Sequence, residues 1–297
     1  MSTPKIGRQL IRCSFSLLNQ HRSWYCFPIL CEIIIVSGFA AIAIPFATLE
    51  KNLSSANVHI TPTAFLITLA AVMVFLFLIH TIFLFFNAAL IACVLKLAHH
   101  QKATVSTGFS TGFAMLWRLM CWRTFTSFAG SIIMQCEYWK DDWFKTRYAT
   151  TVMKGFRWYI AFQLAIPVMV GERCGAYAAL KRSIDLMRQT WGDAPLCSRL
   201  DQGVTWPMVL IRTLSLIPLV IGALTDDTTA TIIGSTMTIF LFMTTTVLFS
   251  ATRMVITTLL YLHATQVDVS SFCAKEILQS TFVRMGLKPS EKQSDHV

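Results

Sequence analysis

Charge is what this chain has least of. Asp, Glu, Lys and Arg make up 13% of its 297 residues, about half the share of a soluble domain, which excludes a large water-facing domain. Two tracts lack charge almost entirely. Thr63–Leu95 holds no formal charge and neither Gly nor Pro, and Thr228–Ala264 holds only Arg253. As helices rising about 1.5 Å per residue, each would run roughly 50 Å against a hydrocarbon core of about 30 Å. Only a bilayer rewards that much uninterrupted apolar surface.

Signatures of chemistry are missing as well. No HExxH metal helix and no Walker loop occurs, and Asp141/Asp142 and Asp226/Asp227 sit in expected loops, not inside apolar tracts where an aspartyl protease of the membrane would need them. His99-His100 is a lone basic doublet, and no cofactor or metal is expected. None of the nine cysteines falls in a CxxC pair, and the nearest two are Cys26 and Cys31. That spacing fits scattered reduced thiols better than a disulfide frame. Acidic residues are scarcer than basic ones, giving a net charge of +10. In a chain with long apolar tracts this reads as Lys and Arg gathered in cytoplasmic loops near anionic head groups, not as nucleic-acid binding. A cleavable signal peptide is not expected, because Glu32 interrupts the first apolar run.

What is present reads as an all-α, polytopic helical bundle of about six spans. Residues 1–26 form an N-terminal interfacial unit, in which Lys5, Arg8, Arg12, Ser16 and Asn19 line one helical face and Ile6, Leu10, Cys13 and Leu17 another. Trp24 and Tyr25 follow as interface anchors. The transmembrane domain covers 27–265, with spans expected at 27–47, 63–95, 113–134, 153–171, 204–224 and 228–264. The two overlong tracts are each expected to be one continuous helix. His99–Phe109 reads as a polar turn with Gly108 and Gly112 as breakers. An interfacial helix is expected at 173–191, where Ala176, Leu180, Ile184, Met187 and Trp191 recur at helical spacing. Residues 266–297 read as a cytoplasmic helix at about Ser271–Met285 and a disordered tail. With both termini cytoplasmic, fifteen Lys and Arg fall inside and six outside, which favours that orientation in a cell inner membrane.

The candidate functional residues are polar groups inside spans: Glu32, His80, Asn87, Arg212 and Arg253. Buried charge in a bilayer is costly and faces the bundle interior or snorkels. Glu32 is the one acid in the set, so a pair with Arg212 or Arg253 is expected, and a basic pocket for an anionic head group is the functional form of the same cluster. His80, Asn87 and Gln163 read first as hydrogen-bonding glue between helices. A short span before an overlong one occurs twice, and the overlong members carry comparable tetrapeptides, Phe86–Ala89 and Phe249–Thr252.

Several stretches together resemble a family of prokaryotic multi-pass integral membrane proteins known only as a domain of unknown function. They are Trp24–Leu30, Phe85–Leu90, Pro167–Glu172, Ala179–Ser183 with Thr190–Gly192, and Ala251–Ala264. The Ala179–Ser183 and Thr190–Gly192 element is also similar to one in bacterial proteins with a glycerophosphodiesterase-type membrane domain. The chain departs from the family pattern at Ala176 and Ala178, where Pro and Glu are usual. The resemblance implies a fold and a membrane location, and no catalytic residue.

The function expected is that of a non-enzymatic inner-membrane protein with a membrane-organising or lipid-associated role, its partners being membrane lipids such as anionic phospholipid. The alternative is a small transporter or permease for an anionic or amphipathic substrate.

Overall fold

The computed structural model describes residues 3–39, 41, 62–138, 156–191, 196–198, 206–225, 228–270, 272–279 and 282–284. Helix α1 spans Thr3–Gln20 and leads through a 3-10 turn, Arg22–Tyr25, into α2 over 26–39. Then come α3 (Pro62–Ala98), α4 (Val105–Tyr138), α5 (Phe156–Glu172) and α6 (Ala176–Trp191). After them stand α7 (Trp206–Leu214), α8 (Ile217–Leu224), α9 (Thr228–Ala264) and the five-residue α10 (Lys275–Gln279). The class is all-α. One small ribbon is added to it, in which β1 (Leu196–Ser198) pairs antiparallel with β2 (Phe282–Arg284), Cys197 opposite Val283. Three described stretches are long and apolar enough to cross a bilayer: Arg22–Phe39, Leu66–Ala98 and Thr229–Ala264.

The two overlong tracts are each one unbroken helix of 37 residues. In the less buried half of α9, hydroxyls bond back to the preceding turn, as Thr236, Thr245 and Thr246 do with the carbonyls of Ile232, Leu241 and Phe242. This lets a threonine-rich sequence stay helical in an apolar medium. The core sits around the C-terminal halves of α3 and α9. There α5 packs against α3, α6 and α9, with all residues from Leu164 to Val170 buried, and α1, α2 and α4 add side chains to the same core.

Several expectations are corrected. The stretch 204–224 is not one helix, because Pro218 lacks an N–H and its ring crowds the preceding turn. The chain breaks after Leu214 and restarts at Ile217. The freed N–H of Leu219 is taken up from the neighbouring helix, by Thr238 Oγ1 at 3.1 Å. Residues 173–175 are a non-helical link before α6, so that helix starts at Ala176. Helix does not run on through Met285, since the C-terminal segment forms only the single-turn α10 and then β2. The apolar face of α1 meets protein: Leu10, Leu17 and Leu18 are buried in the core, while Arg8, Arg12, Ser16 and Asn19 stay exposed. The connectors 50–61 and 139–155, the start of the fourth expected span and the tail lie outside the described residues.

Gly108 and Gly112 are not breakers either. Both lie inside α4, four residues apart, facing α3. A Cβ on Gly108 would stand 2.8 Å from Cys93 Sγ and 2.9 Å from the Ala89 carbonyl; on Gly112 it would meet the Phe85 ring at 2.9 Å. This is the small-xxx-small seam by which apolar helices approach closely in lipid. The same residues, Gly108-Phe-Ser-Thr-Gly112, spell a hydrolase nucleophile motif. That motif needs a sharp strand-to-helix turn to present its serine, and here the chain is continuous helix.

Candidate functional site

The intramembrane residues singled out from sequence separate into distinct contacts. Glu32 on α2 accepts a hydrogen bond from Thr244 Oγ1 on α9. Asn87 on α3, 5% exposed, donates through Nδ2 to Ser250 Oγ on α9 at 3.2 Å. The two echoing tetrapeptides therefore meet face to face. His80 lies one to two turns earlier on α3, packed at 5.9 Å against the ring of Phe83, with Arg123 on α4 as its charged neighbour. Arg253 sits on α9 one turn beyond Ser250. Arg212 is on α7, and its side chain lies outside the described residues, as does that of Gln163. Beside Asn87 the space bounded by Phe27, Cys31, Phe86 and Val247 amounts to about 10 Å³, close to the minimum for a single water.

A larger cavity lies elsewhere, at the end of the molecule where α3, α5 and α9 finish. It measures about 170 Å³ and is lined by Lys96, His99, Gln101, Thr111, Arg173 and Tyr261, over an apolar floor of Ala92, Leu95 and Val170 with Gly171. Its geometry follows from how the helices stop. The turn after α3 closes with His100 N–H on the Leu97 carbonyl and Gln101 N–H on that of Lys96, both at 2.9 Å. That pattern puts one residue in the left-handed region. Glycine is usual there, but here His100 holds it at φ 56°. Arg173, directly after α5, has φ 50°. Such conformations cost a side chain of order 1–3 kcal/mol, and they turn Gln101 and Arg173 back over the helix ends. Gly171 gives Tyr261 its room, since a Cβ there would stand 2.7 Å from the Tyr261 hydroxyl.

Among the described residues, no carboxylate lines this cavity. The nearest in sequence, Glu172, is held by Arg182 Nε at 3.1 Å and lies within reach of the Tyr261 hydroxyl. Lys96 and Arg173 bring cationic side chains and Gln101 an amide donor, while the Thr111 hydroxyl is already given to the Thr107 carbonyl at 2.9 Å. The set suits an anion bearing several acceptor oxygens. Sequence reasoning missed it because its members are scattered over four helices, and each alone reads as a cation or polar residue at a helix end. Among the described residues no three His, Cys, Asp or Glu side chains stand close enough to hold a metal ion.

Residues 66–271, more than half of the chain, match the model of a family of unknown function, DUF6159. The chain belongs to this family. No curated protein and no solved structure matches it. The matched region includes α3, α4, α5, α6 and α9, and with them every residue lining the larger cavity.

Proposed function

We propose that this DUF6159 protein is a non-enzymatic, multi-pass protein of the cell inner membrane with a lipid-associated, membrane-organising role. In this reading the bundle crosses six times with both termini cytoplasmic, and its partners are anionic phospholipids. The observation that carries it is the donor-lined cavity at the ends of α3, α5 and α9. Its polar wall fits a phosphate head group, and its apolar floor of Ala92, Leu95 and Val170 belongs to the packed core. Lys96 and Arg173 also offset the negative ends of α3 and α5, worth about 0.3–1 kcal/mol each. That accounts for two cations at helix ends. It does not account for both facing one cavity together with Gln101, with Glu172 turned to Arg182. The likeness of Ala179–Ser183 and Thr190–Gly192 to glycerophosphodiesterase-type membrane domains rests on sequence pattern alone and adds no activity.

A transporter needs a hydrated path through the bundle. The space beside Asn87, at about 10 Å³, weighs against that alternative. The test is native mass spectrometry of the full chain released from vesicles of phosphatidylglycerol and phosphatidylcholine. Wild type should retain phosphatidylglycerol in preference, and the double variant Lys96→Gln/Arg173→Gln should lose that preference. Equal retention by both proteins would overturn the reading. Inorganic phosphate held by lipid-free wild type, and lost in the variant, would assign the cavity to a free anion instead.

A further inference from the structure

Cys13 and Cys273 stand 260 residues apart in the sequence, yet their sulfurs lie 2.7 Å apart. Both are free cysteines in this structure. Buried packing holds the approach from both sides. On α1, Cys13 lies between Leu10 and Leu17, which are 0% and 2% exposed. Cys273 is itself 3% exposed, and its backbone N–H bonds to the Val269 carbonyl at 3.0 Å. Val269 and Leu278 on either side are fully buried. The pair is thus set between two seated elements. Other described cysteines turn elsewhere: Cys93 Sγ to the Thr104 carbonyl, Cys174 Sγ to that of Val168.

We infer that Cys13 and Cys273 form a redox-active dithiol, a modification site at which a small-molecule disulfide such as oxidised glutathione closes a covalent bridge between α1 and the segment after α9. Cys13 is the partly exposed member and the attacking one. Either sulfur could donate to the other; with the Cys273 S–H as the donor, the Cys13 thiol is held down to about 7 and Cys273 is pushed up. The Cys13 thiolate attacks one sulfur of the oxidant, forming a mixed disulfide and releasing one glutathione thiolate. Capping Cys13 removes the charge and the acceptor that kept the proton on Cys273. Cys273 then gives its proton to solvent and attacks the Cys13 sulfur, expelling the second glutathione thiolate. In sum the two thiols lose two electrons and two protons, and the oxidant's disulfide becomes two thiols. This inference is independent of the lipid-associated reading.

The test treats the full-length protein in detergent with oxidised glutathione, alkylates the remaining thiols and maps peptides by mass spectrometry. Wild type should yield a peptide joining Cys13 to Cys273. Cys273→Ser should stop at a glutathione adduct on Cys13. Without oxidant, alkylation of Cys13 at neutral pH should slow roughly five- to tenfold in Cys273→Ala, which removes the side-chain donor that favours the thiolate. If wild type instead gives two separately alkylated cysteines, or two separate adducts, the inference is overturned. That result needs no variant, so a folding defect in either variant could not mask it.

Discussion

Helices α3 and α9 each pass from one kind of surroundings into another without a change of composition. Ile67 and Met73 are 71% and 62% exposed, whereas Ala89 and Ile91 on the same helix are fully buried. On α9, Ile232 is 65% exposed, and Ile256 and Leu259 are fully buried. Both halves are equally oily, so hydrophobicity does not decide which half packs. The packed half has small residues on both sides of its seams: Ala88, Ala89 and Ala92 on α3 against Gly108 and Gly112 on α4, and Gly171 under Tyr261. Between helices in lipid there is no water to expel, so close approach and a few polar contacts decide association. Among the described residues the open half has such a seam where Gly234 of α9 meets the Pro218 carbonyl and Gly222 of α8 meets that of Ala230.

The comparison breaks most sharply at Gly108. Replacing it with Leu drives a side chain into Cys93 and the Ala89 carbonyl, and should cost about 3 kcal/mol or more, read as a fall in thermal stability in detergent. Next is Thr238→Val, which strands the Leu219 N–H in an apolar medium. A loss of about 1–3 kcal/mol is expected, with hydrogen exchange rising at Leu219 while the packed half stays protected. A double-mutant cycle on Asn87→Leu and Ser250→Ala should return a coupling of about 0.6 kcal/mol, and no more than about 1.7. Smallest is Ile67→Ala, expected within about 0.5 kcal/mol of wild type because its surroundings are fluid. A loss as large as that of Gly108→Leu would show that the open half packs against protein.

Much of the fold was legible because bilayer physics writes long signals. α9 occupies Thr228–Ala264, the tract bounded in sequence by the Asp226/Asp227 pair and the polar residues after Ala264. α1 was legible from its basic and apolar faces, although which partner covers the apolar face was not. Helix ends were harder. α3 and α9 close on His100 and Gln266 at φ 56° and 60°, positions where a glycine would have given the stop away. Gly108 and Gly112 misled for the converse reason: glycine marks both turns and close helix seams, and only the partner helix tells which. The donor-lined cavity and the Cys13–Cys273 pair are products of tertiary packing, invisible to any local spacing.

The central claim is that the N-terminal halves of α3 and α9 sit among acyl chains while their C-terminal halves are sealed in protein. Phospholipids with a diazirine on the acyl chain, photolysed in vesicles holding the full-length protein, test this directly when labelled peptides are sequenced by mass spectrometry. The account predicts carbene insertion at Leu66–Leu78 and Ile232–Phe242 and almost none at Ala88–Val94 or Val255–Leu260. Uniform labelling along both helices, or labelling of Leu66–Leu78 only by a water-borne reagent, would contradict it.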